Sequence, residues 1–373
     1  MIGPARFFLG CLGVVATCAF MFIDSRATTF SFVPISEILF VNSSVGWICG
    51  DEGLLRTENG GHTWSKQEIT RSGIGASRIR SDKVDLMSFL DARNGWVVSS
   101  SRMLKTLDGG LSWSEVRVPI ESLDPAAEGT VTYRKVTSVT RDVVWVLALK
   151  ELKGRFGSGP RYVLRTIDGG KRWEVLWRLD SDEPDVYFNL NSVDQHRGWL
   201  LGSKSVLVTY DGGRSWEKIA KVESGSLTDF SVVNGNECWA VGPHGTILHV
   251  RADGTSDTQN LGEQDHFQRV VFVDSIHGWI AGLGQRPNGM YESVLLATSD
   301  GGASWNVQYR DRPSWLNIFF VDANLGWLLV SEESLDKNKN GFKILQTQNG
   351  GKDWIVIFQR DSGTPWVPIS KHQ

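Results

Sequence analysis

The chain has 373 residues, of which 41% are hydrophobic and 22% charged, and a formal net charge of −3. That balance excludes a nucleic-acid footprint spread over the whole surface, which would need a strong excess of Lys and Arg. Length alone suggests two or three domains, but an internal repeat overrides that count, because a repeat array fills such a length with one closed structure.

The first element in chain order is a leader. Phe7 to Ile23 is an apolar run without a charge, preceded by Arg6 and followed by Asp24-Ser25-Arg26-Ala27. Ser25 and Ala27 occupy the small-residue positions of a signal-peptidase site, so export with cleavage after Ala27 is expected. The run is only slightly short of a membrane span, which makes an uncleaved anchor the alternative. Residues 1–27 are thus assigned to a signal peptide or N-terminal membrane anchor, 28–360 to the repeats, and 361–373 to a C-terminal tail. The implied location is extracytoplasmic: periplasmic, lumenal or secreted. Beyond the leader only Cys49 and Cys238 remain, in the first and fifth repeats. A disulfide requires alpha carbons within roughly 7 Å, which units so far apart do not reach, so two buried free thiols are expected.

From Ile35 onward a two-part unit recurs. Its first part is a turn residue followed five positions later by Trp: Asn42/Trp47, Asp91/Trp96, Thr140/Trp145, Asp194/Trp199, Asn234/Trp239, Asp274/Trp279 and Asp322/Trp327. Its second part is an Asx-Gly-Gly box whose Asx (Asn59, Asp108, Asp168, Asp211, Asp300, Asn349) stands five before a second Trp (Trp64, Trp113, Trp173, Trp216, Trp305, Trp354). The fifth repeat lacks this box. Its segment Ala252 to Asp257 keeps Asp253 and Gly254, with Thr258 where the tryptophan belongs.

Within the second repeat, apolar and polar residues alternate over Leu86 to Leu90, Trp96 to Val98, Met103 to Thr106 and Trp113 to Val116, and each break is a turn. Four short antiparallel strands recurring about every 40 to 50 residues describe a propeller blade. Seven units predict an all-β, seven-bladed β-propeller with four antiparallel strands per blade. In the box, the Asx oxygen accepts backbone hydrogen bonds and the two glycines take positive φ without steric cost. The box tryptophan is expected to fold back as an apolar plug, and six such plugs to dominate the stability of the ring.

These boxes resemble the Asp-box, or BNR, repeat of sialidases. The pairing of FLDARNGWVVSS with LKTLDGGLSW resembles the Ycf48-like family of photosystem II assembly factors and their bacterial relatives, over nearly all of Ile35 to Phe358. The resemblance implies a non-catalytic propeller that escorts a membrane-protein subunit during complex assembly. Departures are the eroded fifth box, and Val144 and Cys238 where other repeats have Gly before Trp.

In such blades the first-to-second and third-to-fourth turns share one face, while the remaining connections emerge opposite. The long connections all fall on that opposite face: Lys150 to Arg161, Leu283 to Ser293 and Ser331 to Phe342 within blades, Ser65 to Lys83 and Ser114 to Thr132 between them. Recognition concentrates in such loops. Two of them are basic, with Arg71, Arg78, Arg80 and Lys83 in one, Lys150, Lys153, Arg155 and Arg161 in the other, and Arg286 in a third. An acidic protein segment or anionic head groups would be drawn there, although solvated basic loops explain the same residues.

Asp336, Asn338 and Asn340, with Gly341, match the opening half of a calcium loop, but the second half fails, since Ile344 and Thr347 stand at its ninth and twelfth positions. An Asn-Gly hairpin tip accounts for these residues without metal, so neither a metal nor any cofactor is expected. No spacing picks out a catalytic set. The arginine cluster and Tyr/Glu pair that a sialidase needs are not marked, and His244 and His249 would point to opposite faces of a strand. Tyr133, Tyr187 and Tyr291 read as core or rim aromatics. Two functions of different class stand: an exported, monomeric scaffold that binds a protein client, with membrane contact only through an uncleaved leader, and a sialidase-like glycoside hydrolase or carbohydrate-binding propeller.

Overall fold

The computed structural model describes residues 35–361 except 52, 70–82, 100–101, 119, 121–128, 153–158, 181–184, 224, 263–264, 286–287, 313 and 333–340. Seven four-stranded antiparallel sheets follow one another in chain order, each built from consecutive strands. Blade one comprises Ile35–Phe40, Gly46–Gly50, Gly53–Thr57 and Ser65–Gln67, and blade seven comprises Leu316–Phe320, Gly326–Glu332, Gly341–Thr347 and Ile355–Asp361. The seven-bladed propeller predicted from the repeats is the fold.

The first strand of each blade is innermost. Polar side chains on one inner strand meet the main chain or side chains of the next: Ser138 N donates to Ser88 Oγ at 2.9 Å, Phe272 N to Ser231 Oγ at 2.9 Å, and Asn317 Nδ2 to Ser36 O at 3.0 Å. The last of these joins blade seven to blade one. Among the described residues no strand is exchanged between blades seven and one, and side chains such as Asn317 join them.

The tryptophans divide differently from the expectation. All seven second-strand indoles, Trp47, Trp96, Trp145, Trp199, Trp239, Trp279 and Trp327, are at most 2% exposed. Of the box tryptophans only Trp64 and Trp113 are buried, whereas Trp173, Trp216, Trp305 and Trp354 are partly open. The reason is radial position: the second strand lies inside the blade-to-blade interface, while the box Trp precedes the outermost strand.

Each second-strand indole reaches into the following blade. Trp47 stacks on Phe89 (centroids 3.7 Å, 9°), Trp279 on Phe320 (3.5 Å, 7°) and Trp239 on Phe272 (4.7 Å, 8°). The box Trp of that following blade meets the same Phe edge-on, Trp113 with Phe89 at 6.4 Å and its three counterparts at 6.0 Å. A buried indole removes roughly 150 to 250 Å² from water, and a favourable ring pair adds about 0.5 to 1.5 kcal/mol. In blades one, two, three and five a basic side chain covers the other face: Arg56 over Trp47, Lys105 over Trp96, Arg165 over Trp145, and the His249 ring on Trp239 at 3.9 Å.

The stack explains the two departures at the Gly-Trp motif. The stacking Phe stands directly across the strand pair from the motif's glycine, as in Phe40↔Gly46 and Phe89↔Gly95. A β-carbon on Gly46, Gly95, Gly278 or Gly326 would lie 2.2 to 2.5 Å from that ring. Where the ring is missing, the restriction disappears. Ser138 stands across from Val144, and Val232 across from Cys238.

Box geometry follows the expectation in six blades. In blade two, Thr106 Oγ1 donates to Asp108 Oδ1 at 2.8 Å, Ser112 N to the same oxygen at 2.9 Å, and Gly110 N to Thr106 Oγ1 at 2.8 Å, with φ of 77° at Gly109 and 100° at Gly110. Blade five departs from the sequence alignment. Ala252 N donates to Asn236 O at 2.7 Å, the bond that the first box glycine makes elsewhere (Gly109 N to Arg93 O, 2.8 Å). Asp253 therefore falls after the Asx position, and Thr258 lies within the outer strand Ser256–Asn260, paired with Leu248. Cys49 and Cys238 are free and buried, as expected, and burial pushes both thiols up.

Candidate functional site

The expected loop face proves to be partly ladder. In blade three the first and second strands run Gly129–Ser138 and Val144–Leu152, with Lys150 pairing Val131 and Leu152 pairing Gly129. In blade six the pairing continues through Leu283↔Ser293 to Gln285↔Tyr291. Part of the length read as second-to-third loop is thus strand among the described residues.

Of the nine basic residues singled out there, three are described. Lys83 bonds Asp51 at 3.1 Å and Asp85 at 3.5 Å, and despite burial, which acts to lower it, the pair with Asp51 raises its pKa. Lys150 is 3% exposed, held in the prolonged strand, and Arg161 begins the third strand of the same blade, half-buried. Arg71, Arg78, Arg80, Lys153, Arg155 and Arg286 lie outside the described residues, as do Asp336, Asn338 and Asn340 of the calcium-like loop. Among the described residues no group of three or more His, Cys, Asp or Glu side chains could hold a metal. His249 bonds Glu237 at 2.8 Å under Trp239, while His244 sits 5.9 Å from the His266 ring, so the two histidines do not converge. Tyr133 and Tyr187 are core residues and Tyr291 is an exposed rim residue.

The axis of the ring carries a polar set that the repeat pattern concealed. Ten residues before the second-strand Trp stand Glu37, Lys135, Asn189, Asp229, Arg269 and Asn317, with apolar Leu86 at this position in blade two. Lys135 Nζ reaches Glu37 at 3.8 Å, from blade three to blade one, a contact that skips blade two across the axial hole. Asn189 Nδ2 and Val270 N each donate to Asp229 at 3.1 Å, and Arg269 lies over the Trp315 ring at 5.5 Å. Burial raises the Asp229 carboxyl, against the opposing pull of Arg269, the Val270 N–H and Lys135. These contacts join neighbouring blades around the axis and, through Lys135 and Glu37, across it.

The tight-turn face is uniform in backbone but not in side chains. Two positions of each box, the one before Asx and the one after the second Gly, vary in side chain from blade to blade while the turn backbone is kept. They are occupied by Glu58 and His62 in blade one, Leu107 and Leu111 in blade two, Ile167 and Lys171 in blade three, Tyr210 and Arg214 in blade four, Ser299 and Ala303 in blade six, and Gln348 and Lys352 in blade seven. Leu111 and Ile167 are 72% and 62% exposed. Leu107 and Asn94 line an open cleft of about 290 Å³ together with Arg93 and Arg141, from the first-to-second turns of blades two and three. Nearby, the Lys105 ammonium donates to Gly169 O at 3.1 Å, and its pKa is lowered first by burial and then by Arg141 and Lys171, against Asp142. Loop length drew attention to the other face; comparing the outward box positions from repeat to repeat would have revealed this one.

Residues 30–120, 134–224 and 177–263 match the profile of the family described as photosynthesis system II assembly factor YCF48, and together cover more than half of the chain. No curated protein sequence matches the chain. Among solved structures, YCF48 bound to D1 peptide superposes with a TM-score of 0.58 at 21% identity, over 80% of this chain and 88% of that one. The tricorn protease gives 0.51 at 10% identity, over 87% of this chain and 39% of that one, and U3-55K gives 0.50 at 9%, over 82% and 89%. The chain thus corresponds to well under half of the protease. At these identities the structural likeness establishes the propeller alone.

Proposed function

Since the chain belongs to the family of the photosynthesis system II assembly factor YCF48, we propose that it is a non-catalytic scaffold that binds a protein client, a membrane-protein subunit of the D1 kind. The observation that carries this reading is the family match over residues 30–120 and 134–263, and the likeness to YCF48 bound to D1 peptide supports it. The scaffold works as a monomer outside the cytoplasm, with membrane contact only through residues 7–23 where the leader is retained. The client meets the face bearing the basic loops, where Arg71, Arg78, Arg80, Lys153, Arg155 and Arg286 supply charge that steers an acidic segment.

Fluorescence anisotropy with a labelled D1 peptide tests the proposal. The expected result is saturable binding, weakened at least about tenfold when Arg78, Arg80 and Arg155 are reversed to Glu, which corresponds to about 1.4 kcal/mol, with an unchanged urea midpoint. No binding of the peptide defeats the D1-like client, and unchanged binding by the reversed variant defeats the basic-loop site. Turnover of a fluorogenic glycoside that disappears on changing one carboxylate would establish the carbohydrate-active alternative instead.

A further inference from the structure

We infer that the tight-turn face of blades two and three is a second docking surface, which takes an acidic segment of a protein partner that also carries apolar side chains. Three observations converge on it. Of the outward box positions, only those of blades two and three carry large aliphatic side chains, Leu107, Leu111 and Ile167, and Leu90 is also exposed just before the first-to-second turn of blade two. Isolated exposed apolar residues are ordinary, but a cluster confined to adjacent turns of a repeat is a recognition feature.

The surrounding cations are uncommitted. Arg93, Arg141, Lys171 and Arg172 are exposed, and their side chains make no ion pair or hydrogen bond with the described protein. Elsewhere comparable groups are engaged: Arg197 with Asp194 at 2.9 Å, Arg251 with Asp257 at 2.8 Å, and Arg102 with Glu115. Blade four shows the contrast on the same face. There the outward aromatic, Tyr210, donates its hydroxyl to Ala252 O at 2.9 Å and Arg214 reaches Glu174 at 3.4 Å, so both join neighbouring structure.

The cleft supplies the geometry. Two guanidinium groups flank it and Leu107 forms part of its wall, which suits one carboxylate held by forked N–H donors with an aliphatic neighbour laid against the leucine. A protein segment fits better than a bilayer. Asp91, Asp108 and Asp168 stay ionised between the cations, their pKa values lowered by hydrogen bonds within the turns that outweigh any burial. A mixed-sign field of this kind gains little from a uniformly anionic membrane, whereas a peptide places its carboxylates one at a time.

The probe is a short fluorescein-labelled peptide containing Glu and Leu, set against the same peptide with Gln for Glu, and against phosphatidylglycerol vesicles. Saturable binding of the acidic peptide is expected, weaker by at least about tenfold in Arg93→Glu/Arg141→Glu and in Leu107→Ser/Ile167→Ser, and unchanged in Lys204→Glu/Lys218→Glu, a reversal on blade four. The first two pairs alter only exposed side chains, so their urea midpoints should match the parent. Equal binding by all variants or by the Gln peptide, or vesicle binding in place of peptide binding, overturns the inference. So does loss of D1-peptide binding in Arg93→Glu/Arg141→Glu, since the two surfaces would then be one.

Discussion

At the junction of blades seven and one, Trp327 lies flat on Phe40 (centroids 3.6 Å, 6°), Trp64 meets that Phe edge-on at 6.0 Å, and the Trp327 indole donates to Gly60 O at 2.8 Å. At the junction of blades four and five, Trp199 is equally buried but faces Val232, blade five has no box Trp, and the indole N–H finds no acceptor among the described residues. Polar bonds stand in there: Tyr210 to Ala252 O at 2.9 Å, Arg197 to Asn236 at 3.3 Å and Asn189 to Asp229 at 3.1 Å. One repeat therefore makes two kinds of joint. The aromatic one joins the last blade to the first.

The largest expected effect follows from truncating the same position in both joints. Phe40→Ala removes a ring packed between two indoles and should cost about 3 to 5 kcal/mol. Val232→Ala removes two methyl groups from a half-buried site and should cost about 1 to 2 kcal/mol. Urea unfolding of the two variants measures the difference. Equal losses would mean that closure is no more dependent on its aromatic stack than the internal joint is on its valine.

How far the sequence reached can be judged at these joints. The blade count and the turn network were legible because a fixed spacing of Trp, Asx and Gly has one structural solution, and the network at Thr106, Asp108 and Gly110 is as expected. The radial order of the tryptophans was not, since spacing along a strand does not reveal which sheet surface faces a neighbour. Likewise Asp253 looked like a box Asx because Asp-Gly follows the same letters, whereas strand pairing shifts it along the turn. The Phe/Gly pairing was visible in principle: the four Gly-Trp repeats with Phe seven before Trp are those at Trp47, Trp96, Trp279 and Trp327, and the two without Gly lack Phe. It carries the next prediction. Gly95→Val puts a β-carbon 2.2 Å from the Phe89 ring, which Trp47 pins from the other side at 3.7 Å, and should cost about 2 to 3 kcal/mol. Adding Phe89→Ser copies the natural Ser138/Val144 pair, so the double variant should be more stable than the sum of the two single losses. Strict additivity in that cycle would show that the two positions do not share one space.

The smallest effect separates the same regions by pH. Blades one and seven build their boxes on Asn59 and Asn349, which accept from Thr63 N and Asp353 N at 2.9 Å with no carboxylate at the Asx position. Blades two, three, four and six use Asp. Hydrogen bonds from Ser215 and Ser304 foremost bring the Asp211 and Asp300 carboxyls down to about 2. A folded-state pKa below the unfolded value of about 3.9 contributes stability that is complete above pH 4 and is lost as pH falls from there through 2. Acid should therefore loosen the interior boxes first and leave the closure boxes intact. Hydrogen exchange at pH 4.5 and at pH 2.5 measures this: protection of Gly213 and Gly302, whose N–H groups bond Thr209 and Thr298 at 2.9 Å, should fall more than that of Gly61 and Gly351. Asp211→Asn should remove the pH dependence at Gly213 alone. A uniform loss across all six boxes would instead assign acid weakening to something common to the whole ring and not to the box carboxylates.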